Sequence, residues 1–66
     1  MILRINGEEE DVAKCANLLE LINVKRLKVE SIVIEHNHKI VLREDWHGII
    51  LNERDSIEIV SFVGGG

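Results

Sequence analysis

The chain begins with an alternating pattern that runs directly into an Asn-Gly pair. Met1, Leu3 and Ile5 share one face of a predicted strand over residues 1–6, and the residues between them face the other way. Asn6-Gly7 is a strong hairpin signal, because both central residues of a type I′ turn need positive φ. We therefore expect an N-terminal hairpin with a short return strand from Glu8.

The return strand consists of acidic residues, which are poor strand formers. We expect it to lie at the edge of the sheet, where its charges also discourage pairing with another sheet. The acidic run over residues 8–11 is either a solvated face or a recognition patch for a basic partner.

The hydrophobic period changes after the hairpin. Apolar residues over residues 12–22 recur at helical spacing, and Asp11 stands in an N-cap position, which predicts an amphipathic helix lying on a sheet. Cys15 falls on the apolar stripe, and we interpret it as a small buried hydrophobe because no basic neighbour would activate its thiol. Residues 23–28 are interpreted as a connection.

Three further strands are predicted in the second half of the chain. Residues 29–36 are the most β-prone stretch and are expected to form a central strand, followed by a tight turn at Asn37-His38 and a short strand over 39–42. Either one helical turn or an irregular segment is expected over 43–46, with Trp46 covering one end of the core. After a polar turn over 52–55, the last strand runs over 57–63.

This order of elements predicts an α+β fold, in which one main helix crosses a mixed sheet of four to five strands. With 66 residues the chain has room for one small domain. Its single cysteine cannot form an internal disulfide, so the core must come from the aliphatic residues that dominate the 45% hydrophobic content.

The net charge of -4 offers no source of attraction to a phosphate backbone, which argues against nucleic acid as a partner. No basic N-terminal segment precedes a long apolar run, and no stretch approaches the roughly 20 apolar residues of a membrane span. We interpret the chain as cytoplasmic and without a membrane partner.

Histidines and acidic pairs do not predict a metal or catalytic site. His36 and His38 lie two residues apart, but no cysteine lies near them to complete a site, and His36 continues the inward phase of its strand. We interpret His36 as a partly buried histidine at one end of the core. Glu44 and Asp45 lie in a predicted surface turn, and a domain this small has little room for a catalytic cleft.

Three consecutive glycines, Gly64, Gly65 and Gly66, follow the last predicted strand. Glycines without flanking structure form a thin, mobile peptide that ends in a free carboxylate. Such a tail is either simple fraying or a peptide shaped to thread a narrow channel and present its carboxylate to another enzyme's ATP.

Motifs spread over the whole chain resemble one family. They are Met1-x-Leu3-x-x-Asn6-Gly7-Glu8, Leu18-Leu19-Glu20, Asn37, Arg43-Glu44-Asp45-Trp46, Asp55-x-Ile57-Glu58-Ile59-Val60 and the terminal Gly65-Gly66. Together they are similar to the sulfur carrier proteins of thiamine biosynthesis, the ThiS family, which have a ubiquitin-like β-grasp fold. The resemblance implies a β-grasp domain over residues 1–63 and a flexible glycine tail over 64–66.

The resemblance further implies that this chain is a protein co-substrate rather than an enzyme. A ThiF-like, E1-like adenylating enzyme would use Mg-ATP to adenylate the carboxylate of Gly66, and the adenylate would be converted to a thiocarboxylate. A sulfur donor such as a cysteine desulfurase would supply the sulfur, which a ThiG-like thiazole synthase would receive. Gly65 and Gly64 would let the tail enter where any Cβ would clash, and the chain itself would bind no cofactor.

Val60 and Phe62 lie on the face of the last predicted strand opposite Ile57 and Ile59. Exposed apolar side chains beside the tail predict a partner-docking patch, whereas the alternative interpretation has Phe62 covering the sheet edge. Three other functions stay open: a carrier for molybdopterin, cysteine synthesis or another sulfur pathway, a ubiquitin-like tag joined to lysines, and a β-grasp binding module that is not activated.

The chain departs from the family pattern at its turns. Leu42 replaces the usual proline before Arg43, and His38 and Arg54 stand where glycine is usual. A non-glycine residue at positive φ costs on the order of 1 kcal/mol, so the turn at Arg54 either changes type or carries strain. The second strand and the run before the helix are also expected to be short.

Overall fold

The structure is a computed structural model that describes residues 1–62. Within this range the chain forms five strands, one α-helix and two 3₁₀ turns. In chain order these are β1 (Ile2–Ile5), β2 (Glu8–Asp11), α1 (Leu18–Val24), the 3₁₀ turn Val29–Ser31, β3 (Ile32–His36), β4 (Lys39–Val41), the 3₁₀ turn Arg43–Gly48 and β5 (Ser56–Ser61).

The strands form one mixed sheet in the order β2-β1-β5-β3-β4. β1 and β5 are parallel, with Arg4 opposite Ser56 and Ile5 opposite Ile57, and the other neighbours are antiparallel. The predicted α+β fold is confirmed, with five strands in the sheet. β2 lies at the edge, as expected from its acidic sequence, and β3 lies inside the sheet as predicted.

The turns of both hairpins have the conformation that their sequences predict. Asn6 and Gly7 have φ of 52° and 84°, and Asn37 and His38 have φ of 50° and 73°. Positive φ at both central residues matches the right-handed twist of the flanking strands, so each pair closes a two-residue hairpin. His38 therefore keeps the left-handed conformation that a glycine would adopt without strain.

The helix predicted over residues 12–22 with Asp11 as N-cap is wrong, because α1 spans Leu18–Val24. Asn17 caps it: the Asn17 side-chain oxygen accepts from the N–H of Glu20 at 2.9 Å, and the Glu20 carboxylate accepts from the N–H of Ala16 at 3.1 Å. This reciprocal cap requires an Asn-x-x-Glu spacing, which the sequence contains and the periodicity argument overlooked.

Val12 and Cys15 are buried although they precede the helix. The connecting segment passes over the core, so its inward side chains imitate a helical period without helical hydrogen bonds. Asp11 pairs with Ile2 as the last residue of β2. The interpretation of Cys15 as a small buried hydrophobe is consistent with its 3% exposure.

The helix extends further than predicted and ends at an arginine in the left-handed conformation. Arg26 has φ of 57°, its N–H donates to the carbonyl of Asn23 at 3.0 Å, and the Leu27 N–H donates to the carbonyl of Ile22 at 3.2 Å. This pair of bonds is a Schellman motif, which reverses the chain at the helix end. The first residues of the predicted connection over 23–28 therefore belong to the helix.

The strand predicted over 29–36 begins later, because Val29–Ser31 is a 3₁₀ turn and β3 starts at Ile32. The last strand likewise ends at Ser61, Phe62 follows it, and Val63 lies outside the described residues. The helical turn predicted over 43–46 is a 3₁₀ turn that continues to Gly48.

The core lies between one face of the sheet and α1. Its buried members are Leu3, Ile5, Val12, Cys15, Leu18, Leu21, Ile22, Ile32, Ile34, Trp46, Leu51 and Ile57. Trp46 is 1% exposed and donates its indole N–H to the carbonyl of Val41 at 3.1 Å, which confirms that it covers the core. With α1 on one face only, the described part of the chain leaves the other face of the sheet open.

Two departures from the family pattern have a defined backbone conformation. Arg54 has φ of 68°, so its turn keeps the left-handed geometry and carries the steric cost of a Cβ there. Leu42 has φ of -73° and ψ of 147°, the extended conformation that a proline adopts. At both positions the backbone therefore has a conformation that suits the replaced residue type, glycine at Arg54 and proline at Leu42.

Candidate functional site

β5 leads to the C-terminal glycines and is held along its length. It pairs with β1 on one side and with β3 on the other, and the N–H of Phe62 donates to the carbonyl of Ser31 at 2.8 Å. The predicted reacting residue Gly66 and its neighbours Gly65 and Gly64 lie outside the described residues.

The outer face of the sheet beside this exit is apolar. Val60 and Phe62 are 55% and 47% exposed, so neither is withdrawn into the core. Val33 lies opposite Val60 in the register and is also exposed, and β4 with the residue after it adds two exposed side chains. We call the set Val33, Ile40, Leu42, Val60 and Phe62 the outer apolar patch.

Sequence reasoning identified Val60 and Phe62 but missed the members from β3 and β4. The sequence contains a signal for these members, because Val33 and Ile40 are apolar residues at outward positions of their strands, where polar residues are usual. Only the strand order shows that these residues share a face with Val60. That the patch binds a partner stays a prediction.

Asn6 joins the N-terminal hairpin to β5. Its backbone N–H donates to the carbonyl of Ile57 at 2.9 Å, and its side-chain oxygen accepts from the N–H of Ile59 at 2.7 Å. These bonds continue the parallel pairing of β1 and β5 by one step after β1 has ended. The hairpin turn thereby fixes the strand that leads to the tail.

Asp55 organises the other end of β5. Its carboxylate lies 2.8 Å from His36 Nε2 and accepts from the Asn37 side-chain amide at 3.2 Å and from the Asn52 N–H at 2.9 Å. The Asn37 N–H donates to the Ser56 carbonyl at 2.8 Å, and the Ser56 N–H donates to the Asn37 side-chain oxygen at 2.9 Å. The network ties the β3–β4 turn to the entry of β5.

The Asp55 carboxyl has a lowered pKa. Burial raises the pKa, but the hydrogen bonds from His36, the Asn52 backbone and Asn37, together with the charge of His36, outweigh this effect. The carboxylate is therefore stabilised in its ionised form. His36, predicted to be a partly buried histidine at a core end, has a side chain that is 19% exposed and contacts this carboxylate.

A shallow groove of about 680 Å³ runs between the N-terminal hairpin and the C-terminal end of α1. It is lined by the apolar residues Ile5, Leu27 and Ile59 and by the charged residues Glu8, Glu10 and Lys25. Lys25 Nζ lies 2.6 Å from the Glu10 carboxylate, so the one cation among these residues is already paired. The groove is acidic at its rim and apolar at its floor.

Within residues 1–62 there is no group of three or more His, Cys, Asp and Glu side chains that could hold a metal ion. In the same range no helix is long and apolar enough to cross a membrane.

A family model described as the ThiS family matches residues 3–66. The chain belongs to the ThiS family. ThiS proteins are small sulfur carriers rather than catalysts, and they act as substrates of partner enzymes.

Individual relatives support the assignment. The sulfur carrier protein ThiS of Bacillus subtilis is 35% identical over 66 residues, which cover 98% of this chain and 100% of that protein. The crystal structure of the thiamine biosynthesis protein ThiS from Geobacter metallireducens superposes with a TM-score of 0.84 at 28% identity, with both chains fully covered. The predicted ubiquitin-like β-grasp fold is thereby confirmed.

A third relative is a longer protein. The thiazole synthase of Paramagnetospirillum magneticum is 32% identical over 66 residues, which cover all of this ThiS-family chain and 20% of that enzyme. A ThiS-like segment is therefore part of the same polypeptide as thiazole synthase in that organism.

Proposed function

We propose that this chain carries sulfur as a thiocarboxylate on Gly66 and delivers it for thiazole formation in thiamine biosynthesis. The observation that carries the proposal is the family match, because it extends to residue 66 and so includes the terminal Gly65-Gly66. The full-length similarity to a sulfur carrier protein ThiS supports it. Cytoplasmic location, where ATP is available, is part of the proposal.

The chemistry needs an activating enzyme because a carboxylate is a poor electrophile. In the proposed first step, an E1-like adenylating enzyme brings Mg-ATP to the tail, a Gly66 carboxylate oxygen attacks the α-phosphorus, and pyrophosphate leaves. A persulfide on a donor such as a cysteine desulfurase then displaces AMP from the carbonyl carbon. A thiol attacks the resulting acyl disulfide, which releases the thiocarboxylate and leaves a disulfide between the thiol and the donor. The resulting thiocarboxylate is a stronger and softer nucleophile than the original carboxylate.

The proposed roles of the glycines follow from their size. A peptide without Cβ atoms fits a narrow channel, so Gly64 and Gly65 let the tail reach an active site that excludes larger residues. The chain contributes no catalytic side chain and binds no cofactor in this scheme. The activating enzyme supplies the nucleotide and the metal ion.

The proposed sulfur acceptor is a ThiG-like thiazole synthase. The thiazole synthase relative supports this partner, because it carries a ThiS-like segment within one chain. The outer apolar patch supports a docking role for Val60 and Phe62, since it exposes several large apolar side chains on one face.

Intact-protein mass spectrometry tests the proposal. The chain is incubated with Mg-ATP, a sulfur source and the adenylating enzyme of its own organism, and fragmentation locates any change. We expect an oxygen-to-sulfur exchange confined to Gly66, which is absent from a control chain that lacks Gly65 and Gly66. An unmodified mass beside a converted positive-control carrier would instead support a binding module that is not activated.

The pathway needs a second measurement. The thiocarboxylate form is supplied to thiazole synthase with its other substrates, and thiazole is quantified. Thiazole that depends on the thiocarboxylate supports the thiamine pathway. A thiocarboxylate that forms but yields no thiazole would support another sulfur pathway, such as molybdopterin synthesis.

A further inference from the structure

The parallel pairing of β1 with β5 stops one step before β5 ends. Along this ladder the N–H of Arg4 donates to the carbonyl of Asp55, and the N–H of Asn6 donates to the carbonyl of Ile57, each at 2.9 Å. Asn6 then enters the hairpin turn at φ of 52°, and its side-chain oxygen takes the place of a strand carbonyl toward Ile59. No residue of β1 remains to make the next step.

Two backbone groups of β5 face the vacated position. In the antiparallel pairing with β3, the N–H of Phe62 donates to Ser31, so the even-numbered residues of β5 bond β3 and the odd-numbered ones face β1. The Ile59 carbonyl and the Ser61 N–H therefore point to the same side, and neither bonds any residue in the range 1–62. Ser61 is exposed, so this open edge is accessible.

The open edge borders the acidic groove. Ile59 and Ser61 both line it, together with Ile5 and Leu27 on its apolar floor. Glu8 lies opposite Ile5 on β2 and makes no salt bridge with a described residue, whereas Glu10 is paired with Lys25. A strand added at the open edge would place alternate side chains over this floor and beside the Glu8 carboxylate.

We propose that an extended, basic segment of the adenylating enzyme adds to β5 as a parallel strand in the position that β1 vacates. This inference rests on the proposed function. One residue of the segment, aligned with Val60, donates its N–H to the Ile59 carbonyl and accepts from the Ser61 N–H. A neighbouring aliphatic side chain enters the groove, and a Lys or Arg pairs with Glu8.

The proposed pairing has a direct consequence for the tail. Ser61 is five residues before Gly66, and from Val60 to Phe62 the strand is held on the β3 side alone. A second strand at Ser61 would fix the direction in which the remaining residues leave the domain. The carboxylate would then reach the nucleotide with less conformational freedom to lose.

Amide exchange on the unmodified protein is the first test. The ¹⁵N-labelled chain is examined by NMR alone and in complex with the adenylating enzyme of its own organism. We expect the Ser61 amide to exchange freely in the isolated chain and to become protected in the complex. A complex in which the Ser61 amide still exchanges freely would overturn the strand addition and leave the proposed function standing.

Ser61→Pro is the matching variant, because it removes the N–H that faces the vacated position and leaves the ladder to β3 intact. Its control is Ser61→Ala, which removes the hydroxyl and keeps the N–H. We expect Ser61→Pro to raise the KM for adenylation by about tenfold and to leave the unfolding midpoint unchanged. We expect Ser61→Ala to have the KM of the wild type. ATP–pyrophosphate exchange measures the KM. Equal KM values for both variants would overturn the proposal.

Charge reversal tests the basic character of the segment. Glu8→Lys is expected to raise the KM for adenylation several-fold in low salt, with a smaller effect at high ionic strength. Glu44→Lys, in the 3₁₀ turn Arg43–Gly48, is the control for the change in net charge. Equal effects of the two reversals would overturn the role of Glu8. A wild-type chain that is neither bound nor adenylated would overturn both the strand addition and the proposed function.

Discussion

Asn6 and Ile59 are 53 residues apart in sequence, and the Ile59 N–H donates to the Asn6 side-chain oxygen at 2.7 Å. Asn6 also has φ of 52° as the first residue of the hairpin turn. One side chain thus meets two demands, since asparagine tolerates the left-handed conformation better than most residues and its amide replaces a strand carbonyl. The N-terminal turn and the C-terminal strand depend on each other through this residue.

Asn6→Ala is expected to lower the free energy of unfolding by about 1–3 kcal/mol, because it strains the turn and leaves the Ile59 N–H without its acceptor. Asn6→Asp keeps an acceptor and the left-handed tolerance, and it should retain most of the stability. Urea denaturation of the three proteins checks this. An alanine variant as stable as the aspartate variant would show that the bond to Ile59 contributes little.

The lowered pKa of Asp55 predicts acid sensitivity below about pH 5. The Asp55 carboxyl has a lower pKa in the folded protein than in the unfolded chain, so on acidification the unfolded chain takes up the proton first. The stability of the folded protein therefore falls as the pH falls through the ordinary pKa of an aspartate towards the lowered pKa. At neutral pH, Asp55→Asn should cost about 1.5–3 kcal/mol, the range for hydrogen bonds to a charged group. The variant should also show a flatter pH profile in urea unfolding between pH 2 and 7.

Asp45→Asn is the control for this prediction, since it removes an exposed carboxylate that makes no side-chain hydrogen bond with a described residue. Its pH profile should follow that of the wild type. If Asp55→Asn kept the full acid sensitivity of the wild type, the source of that sensitivity would lie elsewhere.

Arg54→Gly is expected to stabilise the protein by up to about 1 kcal/mol. The Cβ of Arg54 is strained at φ of 68°, and relief of about 1–2 kcal/mol exceeds the entropic cost of glycine, about 0.5–1 kcal/mol. The ion pair of Arg54 with Glu9, 3.3 Å apart and exposed, contributes little against this. Arg43→Gly is the control, because Arg43 lies in a 3₁₀ turn without positive φ, and this variant should lower the stability of the protein. Thermal unfolding of both variants measures the difference. Equal losses in unfolding temperature would contradict the prediction.

Leu42→Pro is expected to stabilise the protein by about 0.4–1 kcal/mol, because the native φ of -73° suits proline and the unfolded chain loses freedom. The preceding residue Val41 ends β4 and is already extended, as a residue before proline must be. Val41→Pro should destabilise, since Val41 lies opposite Ile34 in the ladder. Guanidinium unfolding of both variants measures the contrast, and a loss of stability in Leu42→Pro would refute the argument.

Phe62→Ala is expected to raise the KM for adenylation by about tenfold with an unchanged unfolding midpoint, since Phe62 is half exposed and lies in the outer apolar patch. Val24→Ala is the matched control, because Val24 is 57% exposed at the end of α1, outside the patch. Steady-state adenylation kinetics with both variants provide the measurement. A Phe62→Ala variant with the KM of the wild type would remove Phe62 from the docking surface.

Local sequence determined the turns and strand faces of this protein. The pairs Asn6-Gly7 and Asn37-His38 closed hairpins where predicted, and the alternation around Ile34 and Ile57 placed both residues in the core. These features depend on contacts between residues close in sequence, which is why pattern and residue type were sufficient. The glycine terminus and the motifs spread along the chain also predicted the family, because both are properties of the sequence itself.

Tertiary structure decided the rest. The segment holding Val12 and Cys15 has helical spacing, yet it packs on the core as an irregular connection, because the cap formed by Asn17 and Glu20 starts the helix later. The outer apolar patch and the open edge at Ser61 exist only because β5 lies between β1 and β3. Strand order is fixed by contacts between residues that are distant in sequence. A local sequence pattern gives no information on the free energy of these contacts.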